Sequence, residues 1–188
     1  MIGWILLGIG IVALIVVLIV VYYINRIIVL SNRIENAWAQ IDVQLKKRAD
    51  LVPNLVETVK GYAAHEQEAI DKVLKARERM MGAKTVGEKA EAERELVGAL
   101  KTIFALAENY PNLKASENFK LLQEQLDGIE SKIAYARQFY NDTVLEFNNL
   151  ITTIPGMWFA ALIGKNKPRE YFKVKEEERE VVKVSFKK

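Results

Sequence analysis

The first 25 residues of this chain contain no charged side chain, and this stretch constrains the fold more than any other. Between Ile2 and Ile24 nearly every residue is aliphatic, aromatic or glycine. A helix of about 20 apolar residues crosses a hydrocarbon core roughly 30 Å thick, and in lipid a helix satisfies its own backbone hydrogen bonds. Aromatic residues favour the two interfaces of a bilayer. The stretch therefore predicts one transmembrane helix, whose span includes Ile2, Trp4, Tyr22 and Tyr23.

A cleaved signal peptide is the main alternative for this stretch. No Lys or Arg precedes the apolar run, the run is too long for a signal core, and no small-residue cleavage site follows it. We therefore expect the helix to be retained. Positive residues close to a span mark its cytoplasmic side, and here they only follow it: Arg26, Arg33, Lys46, Lys47 and Arg48. The predicted localisation is the cell membrane, single-pass, with the N-terminus outside and the C-terminal domain in the cytoplasm.

Composition restricts what the remainder of the chain can be. The 188 residues leave room for one anchor and one domain with a real core. The absence of cysteine excludes disulfides, thiolate metal ligands and thiol catalysis. A net charge of +3, mixed in sign, does not indicate a nucleic-acid partner. Pro and Gly are scarce while Ala, Leu, Glu and Lys are common, which is typical of a helical protein.

Apolar residues recur at steps of three and four after the span, from Ile27 to Val59, so the first helix is expected to continue into the cytoplasm. Pro53 lies inside this pattern and predicts a kink or break between residues 50 and 53. Further helices are predicted from residue 53 or 62 to 81, from 88 to 109 and from 119 to 151, with a loop at 82–87 and a turn at 109–112. The last helix carries a near-heptad stripe that must be buried against other helices.

Short connections between long helices favour antiparallel neighbours. The predicted fold is all-α: the N-terminal transmembrane helix continues into an antiparallel up-and-down four-helix bundle, followed by a short apolar segment and a charged tail. The predicted domains are the anchor at 1–25, the cytoplasmic bundle at 26–154 and the tail at 155–188. Within the tail, Val182, Val184 and Phe186 alternate as in a short strand, which would have to pair with another chain or stay disordered.

A short apolar run after Pro155 is too short to span a bilayer and is followed at once by Lys165, Lys167 and Arg169. One interpretation is an interaction patch that lies in the membrane interface or docks on a neighbouring subunit. The other is a cap that folds back over the open end of the bundle. The candidate patch residues are Met157, Trp158, Phe159, Leu162 and Ile163.

No catalytic, cofactor or metal site is predicted. His65 is the only histidine, and the sequence His-Glu-Gln-Glu-Ala that it begins does not match the zinc motif HExxH. Phosphate-binding and nucleophile-elbow motifs are absent as well. Polar residues on or beside the apolar stripes are interpreted as a structural network that sets helix register, with Asp50 or a nearby glutamate as the partner of an arginine. A ligand or catalytic site is the alternative for these residues, which are Arg48, Asp50, Asn54, Arg77, Arg137, Asn141 and Asn148.

Three motifs carry a family resemblance. They are Asn-Ala-Trp-Ala-Gln-Ile at 36–41 with Lys-Arg-Ala-Asp-Leu-Val-Pro-Asn-Leu-Val at 47–56, Tyr-Pro-Asn-Leu-Lys-Ala at 110–115, and Ala-Arg-Gln-Phe-Tyr-Asn at 136–141. Together with the N-terminal anchor, this pattern resembles the LemA family. At 130–133 the chain reads Glu-Ser-Lys-Ile, where the family usually has Glu-Asn-Arg-Ile. The resemblance implies a single-pass membrane protein with an exposed N-terminus and a cytoplasmic bundle of four main helices, but no defined activity.

The function predicted from these features is a membrane-anchored, non-enzymatic helical scaffold that self-associates at the cytoplasmic face. The alternative is an accessory or sensory subunit of another membrane complex, such as a protease, a transporter or a signalling protein. A hydrolase is a third hypothesis, and it lacks every expected motif. The expected partners are the lipid bilayer, further copies of the chain or another membrane protein, and no nucleic acid.

Overall fold

The computed structural model describes residues 1–172, and over this range the chain forms α-helices and no strands. The prediction of an all-α protein is therefore confirmed. The helices are α1 (Ile2–Lys60), α2 (Gln67–Gly82), α3 (Val86–Ala107), α4 (Pro111–Ala115), α5 (Glu117–Thr152) and α6 (Gly156–Leu162). The strand pattern at Val182, Val184 and Phe186 lies outside the described residues.

The described residues divide into two compact units. Unit 1 contains residues 1–44 of α1 together with residues 130–171, and unit 2 contains residues 45–129 together with Phe172. Each of the long helices α1 and α5 contributes residues to both units.

The apolar stripe of α1 is buried as its periodicity predicts. Its members are Ile27, Leu30, Ile34, Ala37, Ile41, Leu45, Val52, Leu55 and Val59, none more than 4% exposed. Residues 1–19, in contrast, are all exposed. Among the described residues one helix, α1, is a candidate membrane span: judged by length and composition, it is long enough and apolar enough to cross a membrane. The same helix thus has a segment with an apolar surface on all sides and a segment with one buried face.

Pro53 does not break α1, which stays helical to Lys60, so of the two predicted outcomes, a kink or a break, the break is wrong. Proline has no N–H, and the carbonyl of the residue four positions earlier loses its helical partner. That residue is Ala49, and the side chain of Arg77 on α2 donates a hydrogen bond from Nε to its carbonyl oxygen at 2.9 Å. A donor from another helix therefore replaces the missing backbone bond. Helix α2 does not begin at Pro53 or Tyr62 but at Gln67.

Replacing Arg77 with methionine is expected to cost about 1–3 kcal/mol, because the buried carbonyl of Ala49 loses its donor. In a Pro53→Ala background the N–H of residue 53 can supply that bond, so the same replacement should cost clearly less. Chemical unfolding of the four proteins, followed by circular dichroism, measures this coupling. Equal costs in both backgrounds would contradict the compensation.

In unit 2, α2 and α3 form an antiparallel hairpin joined by residues 83–85. Thr85 begins α3 with a capping box: its hydroxyl accepts the N–H of Glu88, and the Glu88 carboxylate accepts the N–H of Thr85. Backbone donation from Lys84 and Thr85 holds the pKa of Glu88 below its ordinary value. Close to the turn, Arg79 pairs with Glu91 and Glu95 across the hairpin.

In unit 1, α5 runs antiparallel to α1. Arg26 on α1 pairs with Glu146 on α5. Trp38 lies further along α1, and its ring centroid is 5.8 Å from that of Tyr140, which comes before Glu146 on α5. The heptad-like positions of α5 are buried, except for Ala136, which is half-buried. In this unit the buried positions include Ile133, Tyr140, Val144, Phe147 and Ile151. The chain then turns through a cis peptide bond at Ile154–Pro155 and forms α6.

Candidate functional site

A buried ion pair lies in unit 2. Nη1 of Arg48 on α1 is 3.0 Å from Oε1 of Glu93 on α3, and the two side chains are 2% and 3% exposed. Asp50, a candidate partner, is exposed instead. Sequence reasoning missed Glu93, although a signal existed, because Glu93 falls on the same stripe of α3 as Leu96, Leu100 and Ile103. The pair joins α3 to α1 and is closed to solvent.

The remaining polar candidates do not gather at one place. Arg77 bonds the Ala49 carbonyl in unit 2, and Asn54 in the same unit is exposed. Arg137 and Asn141 are half-buried in unit 1. The structure thus places four of the seven candidates (Arg48, Asp50, Asn54 and Arg77) in unit 2, and the other three in unit 1.

The third candidate in unit 1, Asn148, fixes the segment that follows α6. Its amide nitrogen donates to the carbonyl of Arg169 at 3.0 Å, and its amide oxygen accepts the N–H of the same residue at 2.8 Å. The Arg169 guanidinium in turn lies 3.5 Å from the hydroxyl of Ser31 and 3.7 Å from the carboxylate of Glu35. A double backbone bond from one side chain thereby sets the register of this segment against α5.

Lys165 completes this contact by donating to the Ser31 hydroxyl at 2.9 Å. Ser31 is fully buried and sits on the apolar stripe of α1. Sequence reasoning missed Ser31 and its two cationic neighbours as a cluster, since more than 130 residues separate them and no local pattern connects them. Close by, the Tyr140 hydroxyl donates to the carbonyl of Glu170 at 2.9 Å, and burial raises the pKa of Tyr140.

The apolar run after Pro155 forms α6, and its residues face two ways. Phe159 is half-buried and stacks on Tyr23 of α1, with ring centroids 5.4 Å apart and an interplanar angle of 25°. Ile163 is also half-buried, while Ala160 is fully buried. The other patch residues are exposed: Met157, Trp158 and Leu162 are 42%, 61% and 74% exposed.

A groove of about 670 Å³ runs between α1 and α5 in unit 1. Tyr135 and Phe139 stand on its rim, 75% and 52% exposed. Gln44 lies in the wall, and its side-chain oxygen is buried without a hydrogen-bond partner among the described residues. Sequence reasoning missed this surface. Its lining is Asn36, Ala39, Gln40, Val43, Gln44, Lys132, Tyr135, Ala136 and Phe139.

His65 is exposed in the turn between α1 and α2. Its neighbour Glu66 accepts a hydrogen bond from the Tyr110 hydroxyl at 2.8 Å, which raises the pKa of that tyrosine. Across residues 1–172, no group of three or more His, Asp or Glu side chains is placed to hold a metal ion.

Comparison with known proteins agrees with the motifs in the sequence. The family model described as the LemA family matches residues 37–186 of this chain. This range contains the second and third motifs, the first motif apart from Asn36, helices α2 to α6 and residues 37–60 of α1. No curated protein matches the chain.

Proposed function

Since this chain belongs to the LemA family, we propose that it is a membrane-anchored, non-enzymatic helical scaffold that self-associates at the cytoplasmic face of the membrane. The non-enzymatic part of the proposal rests on a sequence that has one histidine, no cysteine and no nucleophile motif. The antiparallel four-helix arrangement is part of the same proposal, and the α2–α3 hairpin and the α1–α5 pair support it.

The first 25 residues of α1 are proposed to cross the membrane with the N-terminus outside. The run of exposed apolar residues supports the span. Positive charge supports the orientation, because Arg26 and Arg33 follow the span on α1, and Lys165 and Arg169 contact Ser31 only a few residues further. Four cations therefore cluster on one side of the proposed span.

The absence of cysteine allows a direct test of this orientation. A Cβ added at Gly3 or at Gly128 meets no atom within 4 Å, so cysteine fits at both positions. We expect a membrane-impermeant maleimide to label Gly3→Cys in intact cells and Gly128→Cys only after lysis. Labelling in the reverse order would show the opposite orientation.

The observation that carries self-association is the groove between α1 and α5. Two large aromatic side chains, Tyr135 and Phe139, stand exposed on the rim of this groove. Aromatic residues are enriched at protein interfaces, where a polar handle can still find a partner.

Replacing both Tyr135 and Phe139 with serine is expected to weaken self-association. Each aromatic side chain contributes about 1.5–3 kcal/mol when fully buried, so the double variant should lose about a hundredfold or more in affinity. Size analysis and cross-linking of the detergent-solubilised full-length protein measure the change. Tyr62→Ser is the matched control, because Tyr62 is 49% exposed but lies in unit 2.

Two outcomes would contradict this proposal. A wild-type protein that is a strict monomer at all concentrations would remove self-association. Cross-links from position 135 or 139 to a different membrane protein, with none between copies of this chain, would favour the accessory or sensory subunit instead.

A further inference from the structure

We propose that α6 is a second membrane contact, whose exposed apolar face lies in the interface of the bilayer beside the cytoplasmic end of the span. The inference rests on the proposed anchoring by α1. It extends that anchoring to a segment more than 130 residues later in the chain, and it assigns the lipid bilayer as the occupant of the exposed face.

The depth of α6 follows from its contact with Tyr23. At 1.5 Å per residue, α1 rises about 28 Å from Trp4 to Tyr23, close to the roughly 30 Å of a hydrocarbon core. A span placed between these two aromatic residues puts Tyr23 at the inner boundary of the hydrocarbon. Phe159 stacks on Tyr23 with ring centroids 5.4 Å apart, so α6 lies at the same depth.

The outward face of this segment is apolar. Ile154, Met157, Trp158 and Leu162 are between 42% and 74% exposed, while Ala160 packs inward and is buried. A helix that lies in the membrane interface buries one apolar face about 5–10 Å into the boundary between headgroups and acyl chains. Trp158 is the residue type that favours this depth.

Basic residues follow the apolar face of α6 on its cytoplasmic side. Between Phe159 and Arg169 the contacts on α1 move from Tyr23 to Ser31 and then to Glu35, about 12 and 18 Å further from the hydrocarbon. Lys165, Lys167 and Arg169 thus lie beyond the apolar face in the direction of the cytoplasm. Basic residues within about a Debye length of anionic headgroups are attracted to them.

A bilayer fits this arrangement, an apolar face followed by positive charge, better than a protein partner does. The exposed apolar surface of residues 1–19 continues through Tyr22, which is 63% exposed, to the level of Phe159. Any protein covering Trp158 and Leu162 would therefore have to sit partly among lipid chains. The lipid that surrounds the span already reaches this surface.

The three tryptophans of the chain make the proposal testable in the full-length protein. Trp4 reports on the span, Trp158 on α6, and Trp38 on a part of unit 1 about 22 Å beyond Tyr23. Single-tryptophan versions, with phenylalanine at the other two positions, are reconstituted in vesicles of phosphatidylcholine and phosphatidylglycerol that carry bromine at shallow or deep chain positions. Shallow bromines should quench Trp158 by about half, since an interfacial ring lies near them, and leave Trp38 unchanged.

A second variant removes the apolar face without removing the probe. Leu162→Asp should abolish the quenching of Trp158 and leave that of Trp4 unchanged. Leu121→Asp is the control, because Leu121 is 54% exposed in unit 2 and should have no effect.

The failures of the two proposals are distinguishable in this experiment. Quenching of Trp4 without quenching of Trp158 would overturn the membrane contact of α6 and leave the anchor standing. If neither residue is quenched, the anchoring itself fails. A Trp158 that is shielded from both bromolipid and aqueous iodide would show that a second protein chain covers α6, which also overturns the proposal.

Discussion

Replacing Arg48 with methionine is expected to destabilise the protein by about 3–5 kcal/mol, which makes it the most damaging single substitution that we predict. The reason is the environment of its partner. Glu93 is 3% exposed, and without the guanidinium its carboxylate remains as a buried charge inside unit 2. Chemical unfolding of the full-length protein, followed by circular dichroism, measures the loss. Replacing Glu93 with leucine alone should be similarly harmful.

The double variant Arg48→Met with Glu93→Leu separates the value of the pair from the cost of breaking it. Replacing both members of a buried ion pair with apolar residues of similar volume is often neutral or stabilising. We therefore expect the double variant to be much more stable than either single variant. A double variant as unstable as the sum of the two single variants would contradict this account, because it would mean that each side chain matters independently of the other.

Replacing Gly156 with alanine is expected to cost about 2–3 kcal/mol and to displace α6. A Cβ at this position would stand 2.1 Å from the carbonyl oxygen of Leu150 and 3.1 Å from its carbonyl carbon. Both atoms belong to the backbone of α5, so a change of side-chain rotamer cannot relieve the clash. The expected displacement would separate Phe159 from Tyr23, and thermal unfolding together with the emission of Trp158 should report both effects.

Gly128→Ala is the matched control for this substitution. Gly128 lies within α5 and has open space around its Cβ position. Alanine in a helix interior is more stable than glycine by about 0.5–1 kcal/mol, so the control should stabilise the protein. If both glycine variants shift stability in the same direction, the close approach between α6 and α5 is not what governs the effect.

Much of the helical architecture was predictable from periodicity. The stripe from Ile27 to Val59 is buried, the helix predicted at 119–151 is found at Glu117–Thr152, and the third predicted helix starts and ends two residues early. The turn predicted at 109–112 failed in part, since α4 begins at Pro111, where proline is tolerated in the first turn of a helix.

The break predicted at Pro53 was wrong for a tertiary reason. Proline removes a backbone bond wherever it occurs in a helix, and the sequence alone shows only that loss. Whether the helix continues depends on a donor from elsewhere, and here Arg77 arrives from the next helix. The same holds for the partner of Arg48, which is 45 residues away on α3.

Apolar periodicity along the chain was enough to establish that it is helical, that its N-terminal segment is apolar on all sides, and which faces of its later helices are buried. The sequence also carried the LemA motifs. Which groups meet became known only from the folded chain: Arg48 with Glu93, Ser31 with Lys165, and Phe159 with Tyr23. Hydrophobic periodicity specifies that a face is buried but not what covers it. The partner and the surfaces left exposed depend on contacts between residues that are far apart in the chain.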